Sequence, residues 1–242
     1  MKITSVFSSL LAASGIVLAA SSVNPAAAIT TTLGFQNIFN GVPPQGTDGT
    51  GSTSNNTNGD AFANQFTFDV VSGSGTVDFR FNNNFLTSTN NTRISQIAFS
   101  GIANLLTVSQ LNVGNDGNVN FIVDNTGAFP QANNIDQPWT TALKLAATSQ
   151  DERVDIGETF GIRFNLVGSN TYQSVINAIT TGTLKTAIEV QAFPNGGSDA
   201  FVNSSTPVPE PITMLGLGVG TVGLGALKRK YGKKETKQKV TV

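Results

Sequence analysis

Histidine and cysteine are both absent from the 242 residues, and this limits the chemistry the side chains can do. No Ser-His-Asp triad, Cys-His pair, or His/Cys site for zinc, haem or copper can be assembled. Carboxylate chemistry and hard-cation binding remain. A glycosidase sets two carboxylates across a cleft, and Glu158 with Glu189, or Asp151 with Glu152, are the candidates. Nothing in their spacing demands opposition, and turn or strand-end charges account for them. Calcium takes oxygens from Asp, Glu, Asn and carbonyls. Asn115-Asp116-Gly117-Asn118 and Asp151-Glu152-Arg153-Val154-Asp155 are rich in such oxygens. The first lacks the length and closing Glu of an EF-hand loop and reads as a hairpin turn; the second carries Arg153 among its acids. The expectation is therefore no catalytic residue and no cofactor, with calcium the one cation these turns could take.

Two aromatic residues stand apart from the apolar alternation. Trp139 follows Pro138 in a polar stretch, and Tyr172 precedes a short helical segment. Either ring could stack on the apolar face of a sugar. The plainer reading makes Trp139 a cap on the core and Tyr172 part of its rim.

The elements that must position these residues are strands. Phe160, Ile162, Phe164 and Leu166 alternate with Gly161, Arg163, Asn165 and Val167, the pattern of a half-buried strand. Phe62, Phe66, Phe68 and Val70 share one parity. Val77, Phe79 and Phe81 repeat it after Ser72-Gly73-Ser74-Gly75, so residues 62–81 read as a hairpin. Leu111 and Val113 before the Asn115–Asn118 turn, with Val119, Phe121 and Val123 after it, predict a second hairpin. Leu184, Ile188 and Val190 mark a late strand. Only Gln173 to Thr180 reads as helix, with Val175, Ile176 and Ile179 on one face. Short strands broken by Gly/Asn turns predict an all-β domain, a two-sheet β-sandwich or jelly roll with one short helix. Residues 41–60 read as a flexible loop, and 194–209 as a joint to the C-terminal tail.

The two ends differ from this middle. Met1-Lys2, an apolar stretch from Ile3 to Ala20, a helix-breaking Asn24-Pro25 and Ala26-Ala27-Ala28 form a secretory signal peptide, 1–28, cleaved after Ala28. At the other end, Ile212 to Leu227 is a run of 16 uncharged residues. As a helix it is about 24 Å long, short for a hydrocarbon core of about 30 Å but usable if the basic residues snorkel. Lys228, Arg229 and Lys230 stop it, and further basic residues follow in the tail 231–242. The positive-inside rule keeps them in the cytoplasm and the upstream domain outside. Pro209 and Pro211 hold Glu210 in an extended segment that a processing enzyme could grip.

Between the ends, residues 29–206 are long enough for one domain with a core of its own. Of the 15 acidic residues only Glu210 and Glu235 lie outside 29–207; of the 14 basic ones, Lys2 and seven in the tail do. That leaves 13 against 6, a net charge of −7, hidden by a whole-chain charge of −1. Duplex nucleic acid needs phosphate-neutralising Lys/Arg, so it is not an expected partner.

The tail resembles the PEP-CTERM sorting signal of Gram-negative bacteria. The likeness rests on Pro209-Glu210-Pro211, then Leu215-Gly216-Leu217-Gly218, then Lys228-Arg229-Lys230, within 207–230. It implies Sec export, sorting and processing by an exosortase, a membrane enzyme with a cysteine nucleophile. It also implies a surface or matrix protein, commonly associated with exopolysaccharide and biofilm. Tyr231 to Val242 extend past the usual stopping point of that signal. Residues 157–164 and 188–198 are similar to the last strands of PEP-CTERM β-sandwich ectodomains, which implies fold and not activity. The expected function is a non-enzymatic exported protein held transiently or permanently at the envelope. The alternatives are a carbohydrate-binding module and, after it, a carboxylate-based glycoside hydrolase.

Overall fold

The computed structural model describes residues 28–38, 60–85, 91–135, 139–194 and 196–207. Ten strands and one α-helix are found there: β1 (Thr30–Asn37), β2 (Phe66–Ser72), β3 (Thr76–Asn83), β4 (Arg93–Ser100), β5 (Leu106–Leu111), β6 (Phe121–Val123), β7 (Leu143–Ala147), β8 (Thr159–Leu166), α1 (Tyr172–Thr180), β9 (Lys185–Gln191) and β10 (Ser198–Pro207). All pairings are antiparallel, in the order β5-β8-β3-β2-β1-β10-β9-β4-β7-β6.

The all-β expectation holds, but the strands form one continuous sheet and not the two separate sheets expected. The sheet folds over on itself because its inner face is a run of phenylalanines that must leave water. Phe66, Phe68, Phe79, Phe81, Phe99, Phe121, Phe160, Phe164 and Phe201 are fully buried. Strands far apart in the order meet across this core. Phe99 of β4 contacts Phe79 and Phe81 of β3 and Phe164 of β8 at centroid distances of 5.5, 5.9 and 5.2 Å, all edge-to-face, an arrangement the ring quadrupoles favour. Phe121 of β6 lies 4.6 Å from Phe160 of β8. β6 is one margin of the sheet and β8 is the strand next to the other, so the sheet is nearly closed.

Closure also explains a correction. The 62–81 hairpin is present as β2 and β3, although Phe62 lies in a 3-10 turn ahead of β2. The hairpin across Asn115–Asn118 is not: β5 pairs with β8 and β6 with β7. Apolar parity is a local signal; which strand fills the neighbouring slot depends on how the sheet coils. Asn112 bridges the gap that results. Its side-chain amide acts as a strand residue would: the Phe121 amide donates to its Oδ1 (2.9 Å) and its Nδ2 donates to the Phe121 carbonyl (3.0 Å). Its φ of 57° is left-handed, a conformation Asn tolerates.

A second, smaller cluster lies on the outer face of β10, β9 and β4. Ile38, Ala98, Ala187, Ala200 and Val202 are covered there by Phe129 and Ile135 from the β6–β7 connection, with Trp139 against them. The helix was read from Gln173 and begins at Tyr172. Thr171 caps it through a reciprocal pair of bonds with Ser174, and Val175, Ile176 and Ile179 face the core as expected.

The segment 194–209, expected as a joint, is largely β10, with β1 and β9 on either side. Its pattern is weak because both faces are buried: Phe201 points to the main core while Ala200 and Val202 meet the outer cluster. The expected signal peptide up to Ala27 and the apolar span 212–227 fall outside the described residues. Among the described residues, no helix is long and apolar enough to cross a membrane.

Candidate sorting site and the residues around it

The sheet brings the first and last strands together. β1 follows directly on the expected cleavage position Ala28, and β10 runs to Pro207, the first residue of the sorting segment. The two strands are paired, Leu33 opposite Pro207. The start of β1 is fixed to β2, since the Ile29 amide donates to Ser72 Oγ (2.7 Å) and the Ser72 amide to the Ile29 carbonyl (2.8 Å). The sorting segment thus leaves from a central, doubly paired strand. Pro209, Glu210, Pro211, Lys228, Arg229 and Lys230 lie outside the described residues.

The two aromatic candidates are far apart in role. Tyr172 is half-buried at the rim of the main core. Its hydroxyl is within hydrogen-bond distance of Thr31 Oγ1 (2.6 Å) and the Val70 carbonyl (3.2 Å), tying α1 to β1 and β2. Trp139 packs on Phe129 with centroids 6.0 Å apart, and its indole N–H donates to Thr141 Oγ1 (2.9 Å). It is half-exposed and caps the outer cluster, not the main one.

The three candidate glutamates are engaged in hydrogen bonds. Glu189 sits buried on β9, where Ser95 Oγ (2.9 Å) and Gln191 Nε2 (3.2 Å) donate to it. Glu158 accepts the amides of Asn118 (3.1 Å) and Asp155 (2.9 Å) in the connections before β6 and β8. Glu152 accepts from Thr148 and from Ser149 (3.1 Å). Asn115 of the turn read as oxygen-rich spends its amide on structure: Oδ1 accepts the Gly161 amide (2.9 Å) and Nδ2 donates to the Val119 carbonyl (2.8 Å). Among the described residues there is no group of three or more acidic side chains placed to hold a metal.

Asp155 forms an ion pair with Arg93 at 2.9 Å. Burial pushes its carboxyl above the ordinary value; Arg93 pulls the other way, and Glu158 and Asp151 add to the rise. A polar depression of about 200 Å³ beside it is lined by Asn91, Thr92, Arg93, Asp155 and Ile156. An open one of about 450 Å³ is lined by Gln150, Arg153, Gln191, Ala192, Gly197 and Ser198. Neither has the mainly apolar lining typical of a small-molecule site.

Sequence reading missed three buried charges. Asp199 is fully buried and accepts from Asn37 Nδ2 (3.0 Å), Gln131 Nε2 (3.2 Å) and the Ala200 amide (2.9 Å). Lys144 is buried with its ammonium 3.6 Å from Asp124 and near the Thr126 and Gly127 carbonyls. The third is Asp78, buried on β3, which accepts from Arg163 Nε (2.7 Å) and Nη2 (2.8 Å). The local signal for two of them was a charge inside an apolar strand, Val77-Asp78-Phe79 and Leu143-Lys144-Leu145; Asp199, in Ser198-Asp199-Ala200, had none.

Strand architecture and site together define an all-β domain whose last strand runs straight into a C-terminal signal. Residues 207–230 match the PEP-CTERM protein-sorting motif, so the chain carries that motif, as its residues led us to expect. The motif marks an exported, envelope-associated protein sorted at its C-terminus, and it implies an exosortase-type membrane enzyme as the processing partner. No curated protein and no solved structure matches the chain.

Proposed function

We propose that the chain is a non-enzymatic surface or matrix protein. It is exported by Sec, loses residues 1–28, and is held by the apolar span 212–227 until an exosortase-type enzyme acts at Pro209-Glu210-Pro211. The folded domain is the cargo, a sheet that doubles over like a sandwich, displayed at the envelope in association with exopolysaccharide. The observation that carries this reading is the sorting motif joined without a spacer domain to the central strand β10. Glu152, Glu158 and Glu189 are each held by hydrogen bonds within the domain, which supports a role without turnover.

The test is the C-terminus of the envelope form by mass spectrometry. Expected is a chain that ends upstream of the basic cluster Lys228-Arg229-Lys230. A mature chain that still ends at Val242 overturns the processing step.

Trp139 favours one second reading, a carbohydrate-binding module. Its ring is half-exposed and backed by Phe129, as a stacking platform requires. A glycan array probed with wild type and Trp139→Ala decides it: binding lost with the ring supports a sugar site, and no binding removes it.

A further inference from the structure

The direction of each strand assigns the connections to two ends of the folded sheet. Thr30 pairs with Val71, Ser72 with Val77, Thr76 with Asn165, Leu106 with Leu166, and Ser100 with Lys185. The start of β1, the end of β10, helix α1 and the connections 73–75, 101–105 and 167–184 therefore share one end. These three connections contain no Asp, Glu, Lys or Arg. Their exposed side chains are amides and hydroxyls, among them Asn104, Ser169, Gln173, Asn177, Thr181 and Thr183. The fourth connection at this end, 124–142, folds back over the outer cluster; its Asp124 is paired with Lys144, and its Asp136 lies outside the described residues. The opposite end carries Asp116, Asp151, Glu152, Asp155 and Glu158 against Arg93 and Arg153. The acidity of the domain is thus concentrated away from the end where the sorting segment leaves.

The tether is short. From Pro207 to Ile212, the first residue of the apolar span, there are five residue steps, at most about 18 Å fully extended. The headgroup layer on each side of a bilayer takes up roughly 5–8 Å of that. An inserted span therefore holds the end of β10 within about 10–13 Å of the lipid surface, between one and two Debye lengths of about 8 Å in physiological salt. Acidic groups on that end would lie in the field of an anionic bilayer and be repelled. Neutral hydrogen-bonding groups are not, and can meet headgroup phosphates and carbonyls.

We infer that the end built around α1, where Lys185 and the Asp124–Lys144 pair stand beside otherwise neutral connections, is a docking face for the lipid headgroup surface, and that before processing the domain stands on it with its acidic end outward. This rests on the proposed insertion of residues 212–227. It also means that the processing enzyme meets Pro209-Glu210-Pro211 beneath a folded domain and not on a free, extended tail.

The chain has no cysteine, so single cysteines can carry a fluorophore. We would label Asn177→Cys on α1 and Asp116→Cys at the far end, with Ser169→Cys and Asp151→Cys as second positions. The full chain is reconstituted into phosphatidylcholine/phosphatidylglycerol vesicles whose headgroups carry a short-range quencher. An eight-residue strand separates the ends by about 26 Å, so quenching should be several-fold stronger at 177 and 169 than at 116 and 151. A flexible insertion of ten Gly/Ser residues after Pro207 should remove most of that difference. A chain that floats with the vesicles but is quenched alike at both ends overturns the docking face and leaves the insertion standing. A chain that does not float with them overturns the insertion, and the docking face with it.

Discussion

The side chain of Asn112 stands where a strand partner would, and replacing it measures how much the closure of the sheet is worth. Asn112→Ala removes the two bonds to the backbone of fully buried Phe121, each contributing about 1 kcal/mol, and two part-buried bonds with the Asn120 and Asn115 side chains that water can replace at little cost. It also places a β-carbon without a local polar partner at φ 57°, costing about another 1 kcal/mol. The expected loss is about 3 kcal/mol, a large share of a typical stability of about 5–15 kcal/mol. Asn112→Gly keeps the left-handed backbone and loses only the bonds, so it should cost about 2 kcal/mol. Urea unfolding followed through Trp139, the single tryptophan, gives both numbers, and hydrogen exchange gives the local one. The Phe121 amide should lose protection in both variants while central amides such as that of Phe79 change only with global stability. If Asn112→Ala costs under 1 kcal/mol and leaves Phe121 protected, the side chain is not what closes the sheet.

Three more outcomes follow from the same contacts. Phe99→Ala, at the junction of three edge-to-face pairs, should cost about 3–5 kcal/mol in the same urea series; a loss below about 2 kcal/mol would mean the halves do not pack through it. Gly161→Ala should cost about 3 kcal/mol, because its β-carbon would sit 1.9 Å from the Val113 carbonyl oxygen, whose own amide is bonded to Gly161 at 2.8 Å. Wild-type cooperativity and midpoint in Gly161→Ala would refute that close approach. Asp155→Asn tests the raised carboxyl. Burial makes the folded state hold this proton more tightly than the unfolded chain does, so the group's contribution is greatest in acid and is lost as pH rises through the raised value. The variant should be at least as stable as wild type at neutral pH, the gap closing below the ordinary carboxylate range; a variant less stable at neutral pH would show that the Arg93 pair outweighs burial.

Much of the fold was legible because phenylalanine parity is local. Phe160, Ile162 and Phe164, and the Phe66–Phe81 hairpin, could be read without knowing their neighbours, since period two on a half-buried strand needs no partner to be visible. The helix was legible for the same reason, with Val175, Ile176 and Ile179 one turn apart. β10 was not. Asp199 to Asn203 are buried on both faces of the strand and are flanked by small and polar residues, so no contrast marks it. The pairing of β5 with β8 was equally hidden, because a turn between two apolar runs looks the same whether the runs pair or part. Trp139 was readable as a cap, but the cluster it caps exists only once Ala98, Ala187, Ala200 and Val202 lie side by side.

By itself, then, the sequence determined what chemistry is absent, since no fold supplies a missing His or Cys. It also determined the sorting motif, since a short signal is read as a string of residues. The tertiary structure alone decided that this motif leaves from a central strand, beside the start of β1, at the end away from the acidic connections. That arrangement depends on which strands lie side by side and in which direction each runs. Those contacts join residues more than a hundred positions apart, such as Leu33 and Pro207, and no local pattern encodes them.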